Sequence, residues 1–504
     1  MAERTHTISE FRGLNEYASP EEQVYTRSLE NVLARYSRVF GRRGIEKLRD
    51  ISTVSSTTPI IGLAAYSSPA LATTLIRLTP TKIESLNTGT DVWDDITGSA
   101  FTGASTDTPK GTMHKDVLCI SNGGTFRPRK WEGSGNTVVL GGTPPFAEAI
   151  ADNWGFLFLF NISDDGTTFF PRRATYSDDF DNSWSNCEGA ELNFNETNGE
   201  ILTANAFGDY IVVFKSDILM QLHFVGGLAR FTQFPLPFDH GLIAPLSPAK
   251  VGELGIPFLD TSYRLNITDG RLVKPAPPFV QRKLDETLVK ADAHLSVGLA
   301  YPDNDTYSLF YSSAAADTWN RSRISFNFRT GEFNHATYAG HEFIRAITFR
   351  YASTSSNIIA ASTNDLVYQL DTDQEKDDGT VIDRHYDIDW NQLGFKGEKT
   401  FKGASLYFRK NSTGRVAISV ARDFRADFRY RKMFDLRGLP VSGDYVTVPY
   451  RIDPGISGEF FSVRIQFYHD DGTVVELTPP AHIHFEALST DMKSRSDSRS
   501  ALET

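Results

Sequence analysis

Gly208-Asp-Tyr-Ile-Val-Val-Phe-Lys215 and, directly after it, Asp217-Ile-Leu-Met-Gln-Leu222 set the pattern for this chain. An apolar run of about five or six residues ends in a polar turn, and a second such run answers it. The phrase recurs. Gly155-Phe-Leu-Phe-Leu-Phe160 leads through Asp165-Gly166 to Arg173-Ala-Thr-Tyr-Ser177 and Trp184. Asp116-Val-Leu-Cys-Ile-Ser121 leads through Asn122-Gly-Gly124 to Pro128-Arg-Lys-Trp131, and Thr74-Leu-Ile-Arg-Leu-Thr79 through Lys82-Ile-Glu-Ser-Leu86 to Trp93-Asp-Asp-Ile96. Asn357-Ile-Ile-Ala-Ala361 leads to Leu366-Val-Tyr-Gln-Leu370. The copies return every 40–60 residues or so, about the period of a four-stranded propeller blade.

The fold class expected is therefore all-β. A β-propeller of about six blades fills residues 55–395. Residues 1–54 form an N-terminal arm with the first strands. Arg415-Val-Ala-Ile-Ser-Val420 and Ser462-Val-Arg-Ile-Gln-Phe-Tyr468 alternate at period two, one face buried and one wet. They place a small antiparallel, sandwich-like domain at 396–487, and a polar tail comes after it at 488–504. The three prolines of residues 272–280 read as an extended surface link.

Composition narrows the function. The formal net charge is -12, and 40% of residues are hydrophobic, among them 36 Phe and 19 Tyr. An acidic surface is poorly suited to gripping phosphates, because that affinity comes from Lys and Arg releasing counterions. It suits a solute, or a wall past which a polyanion slides. Cys119 and Cys187 make no disulfide framework and no metal-binding pair, so they read as buried thiols in a reducing compartment. In that compartment the Asn-x-Ser/Thr triplets at Asn161, Asn195, Asn266, Asn320 and Asn411 carry no glycan. The start of the chain lacks the apolar core of a signal peptide, and no run reaches the ~18 apolar residues of a membrane span. The basic cluster Arg35, Arg38, Arg42, Arg43 and Lys47 has two readings. It touches DNA, or it is a solvated face balanced by Glu16, Glu21, Glu22, Glu30 and Glu46; the second is favoured.

No catalytic constellation emerges, so no catalytic, cofactor-binding or metal residue is assigned and the chain is expected not to be an enzyme. His482 and His484 share one face of a strand, but no third metal ligand accompanies them. The pairs Asp94-Asp95, Asp178-Asp179 and Asp470-Asp471 read as turn caps rather than acid/base couples. Ser163-Asp-Asp-Gly-Thr-Thr-Phe169 and Ser177-Asp-Asp-Phe-Asp-Asn-Ser-Trp184 resemble the Asp-centred turns of sialidase-type propellers. There the Asp caps backbone N–H groups, a staple of the fold with no bearing on glycan chemistry.

Phe11-Arg-Gly-Leu-Asn-Glu16, Ser28-Leu-Glu-Asn-Val-Leu33 and Phe40-Gly-Arg-Arg-Gly44 resemble the opening of phage virion propeller proteins. Trp93-Asp-Asp-Ile96, residues 122–131, 176–184 and 258–270 look like their blade motifs, and residues 401–423 are similar to their closing β-domain. Among these the chain most resembles the tail hub or nozzle of short-tailed phages, the packaged-DNA stabilisation family. The resemblance implies a structural virion protein, made in the host cytoplasm, that forms a hexameric ring below the portal and adaptor and beside tail fibres or spikes. The ring retains double-stranded DNA and conducts it without sequence recognition. Two alternatives stand beside it: a tail-borne propeller glycan hydrolase and a host-glycan-binding module.

Overall fold

The computed structural model describes residues 2–487 apart from 9–10, 12, 15–24, 27–28, 36–37, 49–58, 71–72, 91, 178–190, 228–229, 302–304, 351–355, 363–365, 373–375, 392–396, 411, 413, 426 and 470–474. The chain is almost entirely β. It divides into two compact units: residues 45–328 with 338–371, and residues 1–44 with 329–337 and 372–504.

The larger unit is a β-propeller. Among the described residues it holds seven small antiparallel sheets, at 62–95, 110–139, 146–193, 201–235, 256–275, 297–327 and 343–370. These are blades one to seven, one more than the expected six. First strands lie side by side from blade one to blade four and again between blades six and seven, and the first strand of blade seven, Phe343–Arg350, lies against that of blade one, Gly62–Ser67. Blade seven has only three strands from its own stretch of sequence. Its fourth is Glu46–Lys47, which pairs Lys47 with Tyr368 and Glu46 with Gln369, while the amide of Leu48 donates to the Val367 carbonyl at 2.8 Å. A strand from before blade one thus closes the ring and covers an edge that would otherwise expose unpaired backbone.

The apolar cores lie between blades. Blades one and seven share Leu63, Leu75, Leu86 and Trp93 with Phe349, Ile359 and Val367. Blades three and four share Phe156, Phe158 and Phe160 with Ile211, Val213, Met220 and Phe231. Each buried Phe contributes about 1.5–3 kcal/mol, which accounts for the Phe-rich second strand of blade three. The inner hairpin of that blade turns at Trp154 and Gly155, both at positive φ (52° and 81°), the geometry of a two-residue type I′ turn.

Two expectations change here. Residues 272–280 are no extended link: Val273–Pro275 is the edge strand of blade five, and Pro278–Thr287 is a helix. Pro277 and Pro278 sit where a helix has N–H groups to spare, and Val280 and Leu284, one turn apart, are both buried. The propeller also starts earlier and ends earlier than 55–395, because strand pairing rather than composition sets its limits.

In the smaller unit one sheet runs in the order 441–442, 445–458, 399–409, 476–487, 38–41 and 32–35, with residues 2–8 pairing along 481–487. A second sheet orders 429–435, 415–422, 461–468, 385–391 and 29–30. They face each other; the ring of Phe401 in the first lies 5.5 Å from that of Phe461 in the second. Residues 1–44 are therefore no separate arm. Their strands extend both C-terminal sheets, and 385–391 belongs here by pairing with 461–468.

Arg42 joins three distant segments of this unit. Fully buried, it donates from Nη1 to Asp377 Oδ1 at 2.9 Å and from Nη2 to Asp377 Oδ2 at 2.6 Å, and further to Asn31 Oδ1 and the carbonyls of Arg43 and Thr337. Removing one partner of such a pair strands a buried charge. Asp377→Ala should cost about 3–5 kcal/mol, read as a lower urea midpoint with unchanged slope, and Arg42→Met in the same chain should restore part of it. Deleting residues 1–47 should open blade seven and convert a dispersed protein into one that aggregates, which sedimentation would show.

Candidate functional site

First strands of six blades, with residues 245–248 ahead of blade five, converge on an axial cavity of about 320 Å³. Small residues make the space: Gly111, Ala151, Ala204, Ala206, Gly298 and Ala346 line it. Three charged side chains border it, Lys110 from blade two, Asp152 from blade three and Arg345 from blade seven. Asp152 is engaged with Nδ1 of the fully buried His114.

Arg345 comes just after a break in register between Phe343 and Arg345, a bulge that re-aims a side chain along its strand. It is 6% exposed and donates from Nη1 to the Ile344 carbonyl at 2.7 Å and from Nη2 to the Asp107 carbonyl at 3.0 Å; Nε has no partner. Burial pushes its guanidinium down to about 9. The half-buried Lys110 donates to the Leu202 carbonyl at 2.8 Å. Burial, with Arg345 adding repulsion and Glu148 opposing it, pushes its ammonium down to about 7. Burial likewise raises the Glu148 carboxyl to about 7 against the pull of Lys110, with Glu200 and Asp107 adding to the rise.

A second feature belongs to the smaller unit. The strand Arg429–Asp435 is the outermost of its sheet, paired on one side with Arg415–Arg422. Every side chain along it except Phe434 is exposed, so it is wet on both faces, with Tyr430 and Met433 each 52% exposed. From Arg409 to Arg437 there are nine Lys and Arg against three Asp, a local net charge of 9 − 3 = +6 in a chain of net -12.

The residues singled out from sequence are not brought together. Of the basic cluster, Arg42 is buried and structural, Arg38 pairs with Glu476 at 3.0 Å and Lys47 is exposed, so a solvated face describes it only in part. His482 and His484 do share one half-buried face, but His484 faces hydroxyls, Ser405 Oγ at 3.2 Å and Thr5 Oγ1 at 3.3 Å, and His482 abuts the Tyr407 ring. Asp94 and Asp95 end a strand rather than form a turn. Asp94 accepts from Asn87 at 2.9 Å, and Asp95 caps the Thr97 amide at 2.9 Å. Asp165 caps Thr167 and Thr168 at 2.8 and 2.7 Å as the sialidase-type turn requires, and these bonds hold its carboxyl well below the usual range. Cys119 is buried and its thiol is pushed up to about 12 by burial, an inert small apolar residue. Cys187, Asp178-Asp179, Asp470-Asp471 and the turn at 178–184 lie outside the described residues. Among the described residues no three His, Cys, Asp or Glu group as metal ligands, and no helix is long and apolar enough to cross a membrane.

No protein-family model matches the chain, and no curated protein does. Solved structures similar to it include the WD40 domain of Neurospora crassa Pan2, at 9% identity and a TM-score of 0.39 over 66% of this chain and 94% of that one. Another is PorZ, a surface component of the type-IX secretion system of Porphyromonas gingivalis. It is 10% identical with a TM-score of 0.38 over 80% of this chain and 48% of that one, so the chain spans about half its length. A third is BBS1N, 10% identical, TM-score 0.37, over 66% of this chain and 97% of that one.

The raised carboxyl of Glu148 makes stability depend on pH. Its neutral form is favoured in the folded chain, so its contribution is full below the unfolded value near 4.5 and is lost as pH rises through about 7. Glu148→Gln, which stays neutral, should therefore gain in thermal midpoint relative to the parent chain between pH 5 and pH 8 or so. Parallel midpoint curves would contradict the burial of this carboxyl.

Proposed function

We propose that the chain is a non-catalytic structural protein that assembles into a closed ring, as a tail hub or nozzle of a phage. The observation that carries the assembly is the strand Arg429–Asp435. An edge strand wet on both faces, bearing Tyr430 and Met433 and a run of cations, is an unfinished surface in a monomer. A heterologous contact repeated by rotation finishes it and closes a ring.

The phage-tail part is supported by the resemblance of residues 11–16, 28–33, 40–44, 93–96 and 401–423 to virion propellers. On this reading the ring is hexameric, sits between adaptor and fibre or spike proteins, and holds packaged DNA until ejection. DNA passes through the ring of subunits and not along a propeller axis, where Lys110 and Arg345 border a cavity of only about 320 Å³. The acidic net charge of -12 suits a wall that polyanionic cargo must not stick to.

A glycan-binding module is the second reading, and it is favoured by Phe224 and Phe234, 45% and 49% exposed on blade four. Light scattering and negative-stain micrographs separate the two. The proposal expects a discrete multiple of the chain mass and ring-shaped particles, and Tyr430→Glu with Met433→Glu should reduce them to monomers of unchanged circular dichroism. A parent chain that stays monomeric at high concentration would sink the ring.

A further inference from the structure

The axial cavity is bordered by a guanidinium to which no described residue supplies a counter-ion. Three other buried arginines are matched by carboxylates: Arg77 by Glu84 at 2.7 Å, Arg323 by Asp371 at 2.9 Å, Arg42 by Asp377 at 2.6 Å. Arg129 has no carboxylate and, like Arg345, an Nε without a partner, but the carbonyls of Thr97 and Ser99 and the Ser99 hydroxyl together meet its two terminal nitrogens, and it does not border the axial cavity. Arg345 has two backbone carbonyls, a buried Nε without a partner, and a cavity in front of it. A lone buried cation is costly, and such groups persist where something pairs with them.

Lys110 borders the same cavity, and among the described residues one acceptor, the Leu202 carbonyl, meets its three ammonium donors. Two cations from different blades border one space whose lining includes Gly111, Ala151, Ala204, Ala206, Gly298 and Ala346. The carboxylates nearby do not neutralise Arg345. Asp152 is held by His114, Glu148 acts on Lys110, and Glu200 acts on Glu148. A planar guanidinium beside a point-charge ammonium is the donor set that recognises a tetrahedral oxyanion.

We propose that the axial cavity of the propeller is a binding site for a small phosphate-class oxyanion, held by Arg345 and Lys110. The space, about 320 Å³, admits inorganic phosphate with a few waters or a small phosphomonoester, and excludes polymeric polyanions. The site lies wholly within the propeller unit and is independent of ring assembly.

Titration calorimetry of the full chain with inorganic phosphate, against sodium chloride at matched ionic strength, tests this. The expected result is one site per chain, saturable in phosphate and not reproduced by chloride, with a rise in thermal midpoint as phosphate is added. Arg345→Met should weaken phosphate at least tenfold, and Arg345→Lys should weaken it less. Because Arg345 is buried, Lys110→Met at the half-exposed partner provides the second variant; it too should lose affinity while the parent circular dichroism is kept. Phosphate heats no different from chloride, or affinity unchanged in both Met variants, would overturn the assignment.

Discussion

The pairing of Glu46 and Lys47 with Gln369 and Tyr368 carries the architecture of the larger unit. A circular array of sheets leaves one blade with a free edge unless a strand from the other end of the sequence completes it. Here the completing strand is two residues long, so its backbone bonds alone are a weak fastening. Its strength comes from apolar residues next to it in the chain. Leu48 and Ile60 carry the chain from the closing strand into blade one, and both are buried with Trp93, Phe349 and Ile359 in the core that blades one and seven share. Closure and inter-blade packing are one event, and both require contacts between residues more than three hundred positions apart. Such contacts form only after large loops have closed, which makes the ring a slow step of folding.

The same geometry produces the cavity. First strands of six blades and the segment 245–248 ahead of blade five line it, and Gly298 is there because a Cβ would collide with the Ser247 carbonyl. Any long polar side chain on these strands is then held in a space with few partners. Arg345, turned by its bulge, and Lys110 both border it; desolvation depresses the proton affinity of Arg345, and desolvation with repulsion from Arg345 depresses that of Lys110. Stability elsewhere in the unit comes from apolar burial between blades. The axis is where the fold tolerates unmatched charge.

Much of the larger unit is legible in the sequence, for a local reason. Val117–Ser121 and Tyr210–Lys215 are strands with the limits their sequence suggests, because a β-branched run bounded by turn residues specifies a strand from its own composition. Asp165 is readable as a turn staple because Asp, Gly and Thr at that spacing satisfy one another within a few residues. The helix Pro278–Thr287 escapes such a reading because its prolines pass for breakers, although at a helix start they are tolerated; the signal available is Val280 and Leu284 one turn apart. The basic edge at 429–435 is also readable, as nine cations against three anions from Arg409 to Arg437, but a whole-chain charge of -12 hides it.

By itself, then, the sequence determined an all-β chain of repeated blades with a second β-domain behind it, since strand and turn preferences are properties of neighbouring residues. Only the tertiary structure decided that there are seven blades, that Glu46–Lys47 is the last strand of the last blade, and that residues 1–44 belong with the C-terminal sheets. It alone turned Arg42 from a surface cation into a buried one facing Asp377, and brought Lys110 and Arg345 to one cavity. These are pairings across hundreds of residues, chosen by which edges and charges remain unsatisfied once local structure has formed, and no local stretch of sequence carries that information.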